Sequence, residues 1–151
     1  MRLWHRDMIP YLPKQQLLGQ WRELCCMASL LAKDHTPNHI LVNPIIEYPP
    51  EHFEAYCNMV IMEMKRRKFE VYDDAIHQLR TNIRAWRLYL GEEIPFDYVA
   101  DWGMDLGEDI YGGWMDGRYL RQCYYNLEEK YDRGGIPHDE WMHIFANFGG
   151  E

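Results

Sequence analysis

Near the start of the chain, Gln16, Gly19, Gln20 and Glu23 stand three and four residues apart, so on a helix they share one stripe. A carboxylate at the end of such a stripe suits general acid–base work. Gly19 leaves the stripe open, at a cost of about 1 kcal/mol relative to alanine, which calls either for close helix packing or for a ligand that approaches the backbone. A second grouping is basic: His77, Arg80, Arg84 and Arg87 recur at three, four and three residues, and Lys65, Arg66, Arg67 and Lys68 form a short cluster before them. These could meet phosphates or form a solvated face. A third grouping has metal-ligand types, His35 with His39, and His138, Asp139 and Glu140 with His143. His35 and His39 flank Pro37, His138 and His143 are five apart, and no His-Glu-x-x-His string occurs, so no metal site is expected, and a metal-dependent hydrolase stays only as an alternative.

Helices must position these groups. Residues 14–33, after Pro10 and Pro13, place Leu17, Trp21, Leu24, Ala28 and Leu31 at helical steps. Residues 35–50 carry Pro37, Pro44, Pro49 and Pro50, and read as a loop. A second helix opens at Pro49-Pro50 and runs to about Lys68 on Phe53, Tyr56, Val60 and Met64. A third starts near Asp73 or Asp74, carries Ile76, Leu79, Ile83, Trp86 and Leu90, and stops at Gly91. Residues 91–115 then read as a long packed loop, rich in glycine and holding Trp102, Tyr111 and Trp114. A fourth helix spans 116–132 on Leu120, Tyr124, Leu127 and Tyr131, and a short fifth follows Pro137 with Trp141, Ile144, Phe145 and Phe148. The expectation is a mainly α, single-domain fold over residues 1–151 with about five helices and no internal repeat.

Composition narrows the partners. The 151 residues are 47% hydrophobic and 26% charged, which is a globular profile. A net charge of −8 argues against gripping nucleic acid over the whole surface, so any such site must be a local basic patch. No run approaches a membrane span, and the charged opening lacks the apolar stretch of a signal peptide, so no membrane is expected as a partner and the cytoplasm is the expected compartment. Cys25, Cys26, Cys57 and Cys123 show no two-residue zinc spacing and read as buried thiols.

The string Lys14-Gln15-Gln16-Leu17-Leu18-Gly19-Gln20-Trp21-Arg22-Glu23-Leu24 resembles the active-site helix of the pyrimidine-dimer DNA glycosylases of the endonuclease V type. The opening Met1-Arg2-Leu3-Trp4-His5 and residues 62–71, with their basic cluster and Phe69, are similar to members of that family too. The resemblance covers residues 1–75 and implies a helical DNA repair enzyme that needs no cofactor and acts on damaged double-stranded DNA. Its implied nucleophile is the α-amine of Met1, which attacks C1′ of the damaged nucleotide and forms a Schiff base. An α-amine has a reference pKa near 8 against about 10.4 for lysine, so part of it is neutral at pH 7. Glu23 then matches the catalytic carboxylate that supports strand-nicking β-elimination as an abasic-site lyase. Arg22 matches a residue at the DNA backbone, Gln15 and Gln16 line the site, and Arg2 sits beside the nucleophile. Arg80, Arg84 and Arg87 are expected to add phosphate contacts, and Trp102, Tyr111 and Trp114 either stack on extruded bases or pack in the core. Matching Met1 to the family's start requires one inserted residue before Glu23, whereas a gapless match would make Arg2 first. Two departures bear on affinity: Cys26 stands where the family tends to carry arginine, and Gln16 where it carries histidine. A non-catalytic helical interaction module is the other reading left open.

Overall fold

The computed structural model describes residues 2–35, 37, 42–94 and 110–150. Met1, His39, Trp102 and most of the glycine-rich loop considered above therefore lie outside the described residues. Residues 2–5 run extended into a 3-10 turn, Arg6–Tyr11, where Nδ1 of His5 accepts the Asp7 N–H as a cap. Pro13 then opens α1, Lys14–Asp34, which buries Leu17, Gln20, Leu24, Met27, Ala28 and Leu31 along one stripe. The helix ends where His35 turns to a φ of 67° with its N–H on the Leu31 carbonyl.

A four-residue helix, α2 at Asn43–Ile46, lies within the segment expected to be loop, and Pro44 sits in its first turn, where the missing N–H costs nothing. The prolines that argued against helix thus begin one. Pro50 likewise opens α3, Pro50–Arg66, whose Phe53, Tyr56, Cys57, Val60, Ile61 and Met64 are buried at steps of three and one. Helix α4, Asp73–Tyr89, buries Ile76, Leu79, Ile83 and Trp86 and stops at Gly91, whose φ of 88° is the left-handed geometry glycine adopts without penalty.

Helix α1 packs most extensively on α4 and next on α3, so the stripe read from the sequence is the seam of the fold. Helix α5, Gly117–Asp132, is capped by the Asp116 carboxylate on the Tyr119 N–H. Helix α6, His138–Phe148, packs on it through Trp141 against Tyr124 and Tyr131. No strand occurs among the described residues. Buried side chains form one connected cluster from Leu3 to Ile144, and this is what brings α5 to the start of the chain.

Candidate active site at the chain start

An extended segment with buried Leu3 and Trp4 and no strand beside it must find partners for its backbone polar groups elsewhere. Side chains from three helices supply them. From α1, Gln20 is 1% exposed, and its Oε1 accepts the Trp4 N–H at 2.8 Å while its Nε2 donates to the Arg2 carbonyl at 3.0 Å. From α3, the Tyr56 hydroxyl lies 2.5 Å from the Trp4 carbonyl and 3.0 Å from Gln20 Oε1. From α5, the Tyr119 hydroxyl donates to the Leu3 carbonyl. Burial pushes both phenols above their ordinary range, so each remains a protonated donor.

The last partner is the one with chemical capacity. The Arg2 N–H donates to Oε2 of half-buried Glu23 at 3.3 Å, which sets that carboxylate against the first described residue. His5 closes the segment, with Nε2 bonded to the Met115 carbonyl at 2.8 Å and Nδ1 taken by Asp7. Burial lowers its pKa, and both nitrogens are committed to the neutral tautomer, so it holds structure.

The remaining α1 residues behave unequally. Gln15 and Arg22 are exposed; Gln16 is half-buried, and its Oε1 is shut from solvent without a hydrogen-bond partner among the described residues. Among the described residues, a Cβ on Gly19 would meet the end of the Arg22 side chain, at 3.9 Å, an ordinary van der Waals contact. Cys57 and Cys123 are buried and Cys25 is half-buried, its thiol pushed up to about 11 by burial. Cys26 corrects the expectation of four buried thiols: one residue further round α1, it is exposed.

The basic stripe of α4 does not extend to its last member. Arg87 is 12% exposed and binds Glu51 at 2.8 Å, Glu54 at 2.7 Å and also Glu92, so three carboxylates occupy its guanidinium. Arg80 and Arg84 are half-buried, and Arg84 reaches the Ile94 carbonyl at 3.5 Å. At the end of α3, Glu63 binds Arg66 and Arg67, and Arg67 also holds the carbonyls of Ile9, Pro10 and Leu12. Spacing puts these arginines along one side of α4 but does not reveal Glu51 and Glu54 of α3, which meet Arg87 there.

Residues near the other end of the chain complete the surroundings. A cleft of about 370 Å³ opens beside the chain start, and Arg2, Leu3, Pro44, Trp114, Arg118 and Tyr119 are among the residues that line it. Burial raises the Cys123 thiol against the opposing pull of nearby Arg2, so the thiol behind the cleft is neutral. The run from Tyr119 to Asn126 is conspicuous in the sequence, yet nothing local links it to a carbonyl 116 residues away.

A family model described as pyrimidine dimer DNA glycosylase matches residues 1–77, half of the chain. The match takes in the extended start, α1, α3 and the first turn of α4, and so Gln20, Glu23 and Tyr56, while Trp114, Arg118 and Tyr119 lie beyond it. No curated protein and no solved structure matches the chain.

Proposed function

The chain belongs to the pyrimidine dimer DNA glycosylase family, and on that premise we propose that it excises damaged bases from double-stranded DNA with the α-amine of Met1 as nucleophile and Glu23 as acid–base group. The observation that carries this reading is the 3.3 Å hydrogen bond between the Arg2 N–H and the Glu23 carboxylate, within a segment held at every turn by buried side chains. The Met1 nitrogen is three covalent bonds from the Arg2 nitrogen. Bond lengths alone then keep it within roughly 8 Å of the carboxylate. A clamped segment beside an acid–base group is what a proximity-driven reaction requires.

In the proposed reaction the amine lone pair forms a bond to C1′ while the glycosidic bond breaks, and the base leaves with the bonding electrons and a proton. The C1′–O4′ bond then breaks and opens the sugar ring, with the proton lost by the amine passing to O4′ as the iminium forms. Removal of a C2′ proton then expels the 3′ phosphate, which nicks the strand, and water releases the amine. Glu23 accepts the C2′ proton and offsets the positive charge on the sugar and iminium. Positioned proton transfer of this kind typically contributes about 10²–10⁴-fold. Arg22, exposed one position from Glu23, and Arg2 are the proposed phosphate contacts nearest the reaction, with Gln15 and Gln16 along the same helix.

The test is Glu23→Gln on duplex DNA with an abasic site. Strand cleavage is expected to fall at least a hundredfold while borohydride still traps part of the protein on the DNA. Wild-type nicking by this variant removes Glu23 from the mechanism.

A further inference from the structure

Apart from Arg2, the cleft beside the chain start takes no part in the steps above, yet its walls combine two recognition chemistries. Arg2 and Arg118 bring guanidinium groups, and Trp114 and Tyr119 bring half-buried rings whose centroids lie 5.5 Å apart. Arg118 is exposed and has no ion-pair partner among the described residues, unlike Arg6, Arg66, Arg67, Arg87 and Arg133. The acidic group on the rim, Asp116, spends one carboxylate oxygen capping α5.

This pairing fits a nucleotide. Planar guanidinium forks match phosphate oxygens, and an aromatic face receives a base of any identity. The volume, about 370 Å³, lies within the ~300–1,000 Å³ of small-ligand sites. Arg2 ties the cleft to the reaction, because it forms a wall while its backbone N–H is hydrogen-bonded to Glu23.

We infer that the cleft binds a nucleotide of the DNA strand next to the reacting sugar, with its base against Trp114 and its phosphate between Arg2 and Arg118. The inference rests on the chain start being the active site, and it adds a subsite built by residues outside the segment that the family model matches.

The experiment measures binding to a duplex carrying a tetrahydrofuran abasic analogue, which cannot form an imine, against the intact duplex over a range of salt concentrations. Arg118→Ala is expected to weaken lesion binding severalfold and to lower the slope of log K against log salt by about one, the signature of one lost phosphate contact. Trp114→Leu is expected to weaken binding roughly tenfold with the slope unchanged. Arg133→Ala, at the far end of α5 and paired with Glu129, should alter neither. Because Arg118 is exposed, its replacement leaves the fold intact even if loss of Trp114 does not. Unchanged affinity and slope in Arg118→Ala, with the wild type preferring the lesion, overturns the subsite alone; a wild type without that preference overturns the active-site reading beneath it.

Discussion

At the scale of single residues, the site depends on side chains that fix a backbone. Gln20 and Tyr56 hold residues 2–4 from inside the matched segment, and Tyr119 holds the Leu3 carbonyl from outside it. Tyr119→Phe removes only the hydroxyl and leaves that carbonyl without its donor, a loss of about 1 kcal/mol in stability. Its larger consequence is expected at the amine: single-turnover imine formation should slow roughly tenfold while affinity for abasic DNA is unchanged, since misplacement by a fraction of an ångström acts on rate rather than binding. An unchanged rate would show that α5 does not position the chain start. The roles of Gln20 and Tyr119 differ in how they could be read. Gln20 sits on the same α1 stripe as Glu23, visible from spacing alone, whereas the partner of Tyr119 emerges only when the core brings α5 to the N-terminal segment.

At the scale of elements, apolar period and punctuation were enough to place α1, α3, α4, α5 and α6 near their observed limits, because Pro13, Pro50, Gly91 and Pro137 bracket clear hydrophobic stripes. The four-residue α2 escaped, since one turn is too short to display a period. Arg87 shows the limit of a stripe argument: α4 does present it on the face expected, and that face meets Glu51 and Glu54 of α3. Burial raises the Glu54 carboxyl even with Arg87 beside it. A carboxyl whose folded pKa exceeds its unfolded value favours the fold at pH below the unfolded value and loses that contribution as pH rises through the folded one. Arg87→Ala leaves the carboxylates uncompensated and is expected to cost about 3 kcal/mol at pH 7. Part of the loss should return at a lower pH, where more of Glu54 carries a proton. Denaturant titrations at the two pH values check this, and an equal loss at both would mean that Arg87 acts by packing alone.

At the scale of the whole molecule, a net charge of −8 sits poorly with a DNA enzyme until the arginines are sorted by partner. Arg6, Arg67 and Arg87 are half-buried and bound to carbonyls or carboxylates, whereas Arg22 and Arg118 are exposed without an ion-pair partner among the described residues. Charge count alone could not reveal that division. Cys26 lies four residues after Arg22 on the exposed side of α1, so Cys26→Arg should add a cation to that side. Abasic-duplex affinity is expected to rise severalfold at low salt, and the salt slope to steepen by about one. No change would place this side of α1 away from the DNA.

The proposed reaction depends most directly on the amine. Untagged protein should be incubated with duplex DNA carrying a thymine dimer or an abasic site, reduced with borohydride, and the crosslinked peptide mapped by mass. An adduct on the α-amine of Met1 is expected, lost when the N-terminus is extended by a residual tag. A crosslink confined to a lysine, or no crosslink to either duplex with the N-terminus free, would contradict it and leave the family's scaffold serving another partner.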